Sequence, residues 1–149
     1  MNILITGAGG FIGSNLYLHL KTNHKIFRLF SHKHNTIKDH SFSIDLTKPK
    51  QVDNLIYRLS NHKIEAVIHL ASKMSSVQKL NNISVLNENI RISQNISTLV
   101  KNLEPNVLIN FSSMAVYPNI SGSFSEEAAP CPQENNDCIY GLSKYSSEV

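Results

Sequence analysis

Tyr140 and Lys144 lie one helical turn apart in "CIYGLSKY", a spacing that sets both side chains on one face of a helix. A tyrosine hydroxyl ionises at about pH 10, too high for a general base at neutral pH. An ammonium one turn away favours the phenolate, so the pair can exchange a proton with a substrate. Taken alone, the same spacing also describes an exposed surface pair. A second pattern stands at the other end of the chain, where "NILITG" runs into "TGAGGFIGSN". Gly7, Gly10 and Gly13 recur at three-residue intervals as a strand hands over to a helix. Gly7 suits a tight turn, Gly10 lets backbone approach a pyrophosphate, and Gly13 permits close helix–strand packing. The helix start offers N–H groups and a partial positive charge to phosphates. Three glycines can also serve packing alone, but the strand–turn–helix context favours the phosphate cradle.

The elements that must position these residues alternate along the chain. "NILITG", "KIFRLF", "SFSIDL", "EAVIHLAS" and "NVLINFSS" are short apolar or alternating runs that predict five strands. Between them, Ile12, Leu16 and Leu20 predict a helix from Phe11 to about Lys21. Val52, Leu55, Ile56 and Leu59 predict a second helix, with Thr47 as its cap. Val85, Ile92, Ile96, Leu99 and Leu103 predict the longest, over about 85–103. A polar loop rich in proline, glycine and serine fills 118–138, and a last helix starts near Tyr140. Such alternation implies an α/β fold with a parallel sheet and right-handed crossovers.

The chain's 149 residues suit one domain, long enough to bury about 68–70% of its unfolded surface. Its 41% apolar and 17% charged content describes a globular protein, not a disordered one. A formal charge of +3 is too mild for the basic stripe that nucleic acid demands, so no nucleic-acid partner is expected. No apolar run approaches the roughly 18 residues of a membrane span, so no membrane partner is expected either. "MNILITGAGG" lacks the basic start and cleavage site of a signal peptide, and the expectation is a cytoplasmic protein. Cys131 and Cys138 fit no zinc or redox spacing, and His32 and His34 read as solvated loop residues, so no metal is expected.

"TGAGGFIG" resembles the cofactor loop of the extended short-chain dehydrogenases/reductases, the NAD(P)-dependent epimerase/dehydratase family. The similarity runs from about Asn2 to the last helix. It implies a doubly wound parallel Rossmann sheet of about five strands in the order 3-2-1-4-5. Gly7, Gly10, Phe11, Ile12 and Gly13 would then form the pyrophosphate turn. "IDLTK" is similar to the family's third-strand end, implying that Asp45 meets the adenine amino group and Leu46 lines its pocket. "VIHLAS" places Leu70, Ala71 and Ser72 along the cofactor, and Asn89 matches an asparagine of the family's long central helix. "INFSSMAVYP" puts Ser113 at the catalytic serine/threonine, and "YGLSK" supplies Tyr140 and Lys144. The Ser113 hydroxyl would steady the substrate oxygen while Tyr140 exchanges its proton and the cofactor carries the hydride.

Departures from the family pattern refine these expectations. Phe30 stands where NAD-preferring members place an acid, and Ser31, His32 and Lys33 follow. They could hold a 2′-phosphate, which tilts the expectation towards NADP over NAD, although a solvated basic loop has the same composition. Met114 and Ala115 replace the acidic pair of sugar-nucleotide dehydratases, and Pro118 replaces a glycine. Epimerisation or carbonyl reduction of a nucleotide sugar remains. Family members continue for more than another hundred residues, so the resemblance implies the cofactor-binding and catalytic half without the C-terminal substrate domain. A non-catalytic NAD(P)-binding module and an inactive truncated remnant are the alternatives. In the family's strand order "NVLINF" would form an uncovered edge, which predicts self-association.

Overall fold

The computed structural model describes residues 1–31, 40–74, 82–125 and 127–149. They fall into two compact units, Met1–Ser72 with Gln94–Phe111, and Lys73–Ser93 with Ser112–Val149.

The first unit holds the sheet. Its strands are β1 (Asn2–Thr6), β2 (Lys25–Phe30), β3 (Ser41–Ser43), β4 (Ala66–His69) and β5 (Val107–Asn110). All pair in parallel in the order β3-β2-β1-β4-β5, the order that the family resemblance implies. β3 and β4 are shorter than their apolar runs. The polar-ended segments "IDL" and "LAS" leave the ladder as loops at the carboxyl edge, where ligands of such sheets bind.

Register stacks like on like. Leu4 lies between Phe27 and Val67, and Ile3 between Ile26 and Ala66. Side chains alternate between faces, and both faces of β1 are buried, so its residues read as one continuous apolar run. Helix α1 (Phe11–Leu20) covers one face, where Leu16, Tyr17 and Leu20 pack on Ile3, Ile5, Ile26, Ala66 and Ile68. The crossovers through α2 (Pro49–Leu59) and α3 (Ile83–Leu103) run the opposite way across the sheet, so right-handedness sends them to the other face.

Two local expectations need correction. Ile12 does not join the inward stripe of α1; it is exposed, and the stripe is Gly13, Leu16, Tyr17 and Leu20. The helix is rotated because Gly13, with no side chain, is the residue pressed on the turn. Thr47 does not cap α2, whose cap position is Lys48 with Pro49 following. Thr47 instead donates its N–H and hydroxyl to Asp45 Oδ1 at 2.9 and 2.7 Å, a side-chain turn that ends before the helix begins.

β5 is one of the two edge strands, β3 being the other. Val107, Leu108 and Ile109 are each 45% exposed. Neighbouring residues point to opposite faces, so this strand is open on both.

Besides the first half of α3, the second unit is built on short elements. Turns of 3-10 helix span Met114–Val116 and Pro132–Glu134, and α4 spans Cys138–Tyr145, starting two residues before the expected Tyr140. The Cys131 N–H donates to the Val116 carbonyl at 2.8 Å and the Asn135 amide to that of Tyr117 at 2.8 Å, joining the two turns. Tyr117 and Phe124 stack at 4.9 Å within the loop between them.

Candidate active and cofactor site

In the first unit the glycine turn is shaped by backbone contact. Gly7 has φ +66°, a left-handed conformation that favours glycine, and a Cβ there would lie 3.0 Å from the Leu70 carbonyl carbon and the Ala71 nitrogen. At Gly13 a Cβ would overlap the Gly7 carbonyl oxygen and sit 2.8 Å from Ala8 Cα. Gly10 differs: its absent Cβ would approach only the Gly7 oxygen, at 3.3 Å, and otherwise meet open space. Gly10 also caps α1 without a side chain, so no side-chain oxygen occupies the donors of the first turn. Phe11, 86% exposed, and Ile12 flank this opening. A cradle of bare backbone beside free space fits a pyrophosphate.

The loops around the turn are held by polar groups that the sequence reading missed. Thr6, directly before Gly7, is fully buried, and its Oγ1 accepts the N–H groups of Leu70 and Ala71 at 3.1 and 3.0 Å. With both lone pairs used, its hydrogen points to His69 Nδ1, 2.8 Å away, which makes that nitrogen an acceptor and puts the ring proton on Nε2. The one signal was a polar residue closing an apolar strand. Leu70, Ala71 and Ser72 are half-buried behind this clamp. Leu46 is buried, and its carbonyl accepts the Asn95 amide of α3 at 2.7 Å. Asp45 is half-buried, with one carboxylate oxygen taken by Thr47. Phe30 is buried with its ring against the turn, 3.2 Å from where a Cβ on Gly9 would stand. It is followed by exposed Ser31, while His32, Lys33 and His34 lie outside the described residues.

In the second unit the geometry rests on side chains. Ser113 heads the first 3-10 turn and its Oγ accepts the Ala115 N–H at 3.2 Å, leaving its hydroxyl hydrogen to donate. Met114 is well exposed beside it. α4 presses on this turn at Gly141, where a Cβ would overlap the Ala115 carbonyl oxygen and lie 3.0 Å from Pro132 Cβ. The residue before Gly141 is Tyr140, so the unit brings the Ser113 turn to the start of the tyrosine helix. Lys144 is 6% exposed, and burial pushes its ammonium below the ordinary lysine range, opposed by the Glu148 charge one turn on. Glu148 in turn accepts from the Ser112 hydroxyl. Asn89 is buried, with its amide bonded to the Lys73 backbone and to Ser143 Oγ. Among the described residues no three His, Cys, Asp or Glu side chains gather as a metal site.

Comparisons with known proteins bear on the family and the fold. The family described as "NAD dependent epimerase/dehydratase family" matches residues 3–149. The GDP-L-colitose synthase of Yersinia pseudotuberculosis is 29% identical, covering 99% of this chain and 45% of its own length. Among solved structures, MoeE5 in complex with UDP-glucose and NAD superposes with a TM-score of 0.81 at 26% identity, over 99% of this chain and 47% of that one. The ADP-L-glycero-D-manno-heptose-6-epimerase of Helicobacter pylori gives a TM-score of 0.78 at 26% identity, over 98% of this chain and 48% of that one. The chain thus spans about half the length of these relatives.

Proposed function

Because the chain belongs to the NAD-dependent epimerase/dehydratase family, we propose that it carries the dinucleotide cradle and the acid–base residues of an NAD(P)-dependent enzyme acting on a nucleotide sugar. The observation that carries this reading is the glycine turn. Two of its glycines are required by backbone contact, whereas Gly10, apart from the Gly7 carbonyl oxygen at 3.3 Å, faces open space. On this reading the turn over Gly7–Gly13 holds the pyrophosphate, Asp45 and Leu46 hold the adenine, and Leu70–Ser72 line the path between. A bound dinucleotide would supply hydride transfer. Ser113 donates to the reacting oxygen of the substrate and Tyr140 takes or returns its proton, with Lys144 one helical turn on. The similarity to proteins named as a synthase, an epimerase and a UDP-glucose complex supports a nucleotide-sugar substrate. Phe30 offers no acceptor to a ribose hydroxyl, which supports NADP over NAD.

Calorimetric titration of the 149-residue chain with NAD(H) and NADP(H) tests this reading. Binding is expected, tighter for NADP(H). Gly10→Ala is expected to weaken it at least tenfold while lowering the folding midpoint less than Gly13→Ala, since its Cβ meets only the Gly7 carbonyl oxygen, at 3.3 Å, and otherwise fills open space. Absence of binding to either dinucleotide at millimolar concentration overturns the cradle. A clear preference for NAD overturns only the 2′-phosphate assignment.

A further inference from the structure

Ser143 is 1% exposed and Asn89 4%, and they meet in the interior of the second unit, 54 residues apart in sequence. Asn89 Oδ1 accepts the Lys73 N–H at 2.7 Å, and its Nδ2 donates to the Lys73 carbonyl at 2.9 Å and to Ser143 Oγ at 2.8 Å. This pattern fixes the amide's orientation, because a flipped amide would set its nitrogen against the Lys73 N–H and its oxygen against the Lys73 carbonyl. Ser143 Oγ is therefore the acceptor from Asn89, and its own hydrogen goes to the Tyr140 carbonyl, 2.7 Å away. A continuous chain of hydrogen bonds, buried at Asn89–Ser143 and part-buried at its two ends, runs from the Lys73 backbone through Asn89 and Ser143 to the residue that begins the Tyr–Lys turn.

A serine in a helix ordinarily gains little by bonding back to its own helix. Here the same hydroxyl also accepts from outside the helix, so rolling α4 about its axis or sliding it breaks the bond to Asn89. Such a bond is costly to lose once buried, because the amide left behind has no water to turn to. The residue after Ser143 is Lys144, whose burial depends on the same rotation.

We propose that Ser143 is a positioning residue: through Asn89 it sets the rotation of α4 and so holds Lys144 in its buried place on the face of Tyr140. The importance of that face rests on the proposed function, whereas the lock itself is tested without substrate or cofactor. The readout is the protonation of Lys144, followed as the NMR shift of its Cε against pH and assigned by its loss in Lys144→Arg. In Ser143→Ala the released helix lets the ammonium reach water, and its pKa is expected to rise towards the ordinary lysine value. Ser143→Thr, which keeps the hydroxyl, is expected to restore the parent value. A Ser143→Ala protein that is folded, less stable and unchanged at Lys144 overturns the proposal, because it leaves Ser143 a stability residue only. Should that variant fail to fold, Ser143→Cys, similar in size and a far weaker hydrogen-bonding partner, is read in its place. Failure of both to fold overturns the proposal equally. A Lys144 shift in a protein that binds no dinucleotide would uphold the lock and count against the proposed function alone.

Discussion

The two units hold their candidate site residues with different materials. Around Gly7 and Gly13 the first unit uses backbone against backbone, and the requirement is the absence of a side chain. Around α4 the second unit uses side chains with particular polar atoms: the Asn89 amide, the Ser143 hydroxyl and the buried Lys144 ammonium. Gly141, pressed on Ala115, is the one place where the second unit borrows the first unit's method. A site made by exclusion tolerates no added atom but is indifferent to charge and pH. A site made by buried polar groups accepts isosteric changes but depends on protonation.

The largest effects are expected where a side chain is forced on backbone. Gly13→Val and Gly141→Val should each destabilise their unit by about 1–3 kcal/mol or more, read as lowered urea midpoints. The atoms they meet, the Gly7 and Ala115 carbonyls, belong to main chain that cannot rotate away. Wild-type midpoints for both would break the contrast, since contact would then not define either site.

A smaller effect separates the units by pH. Burial lowers the Lys144 pKa in the folded chain below its ordinary value of 10.5. Below the folded pKa the charged form is held at a cost. Between the folded and unfolded pKa values the unfolded chain binds more protons, so stability rises with pH, and the cost is gone above 10.5. Lys144→Met should therefore be more stable than wild type at neutral pH, with the gap narrowing as pH climbs towards 10. Parallel curves for the two proteins would mean that the ammonium is hydrated in the fold.

The smallest effect on folding, though not on behaviour, is expected at β5. It is an apolar, uncharged strand at an edge of the sheet, open on both faces at Val107, Leu108 and Ile109, and such edges recruit other chains. The isolated 149 residues should self-associate as concentration rises, and Ile109→Lys should suppress this with under about 0.5 kcal/mol change in stability. Light scattering across a concentration series decides it. A persistent wild-type monomer would show the edge to be harmless.

Much of the architecture was legible in the residues alone. Apolar runs of strand length alternating with helical periodicity specify a parallel α/β sheet, because period and burial are local properties of the chain. The glycine spacing and the Tyr140–Lys144 turn were legible for the same reason: each lies within a single strand–turn–helix or a single helical turn. The rotation of α1 was not, because Ile12 and Tyr17 are both apolar and only the contact of Gly13 with the Gly7 carbonyl chooses between them. Nor were the pairings of Thr6 with His69 and of Asn89 with Ser143, whose partners stand 63 and 54 residues apart. No local period links such residues. A buried polar group must find a partner wherever the fold brings one, and that choice is made only when the strands and helices have packed.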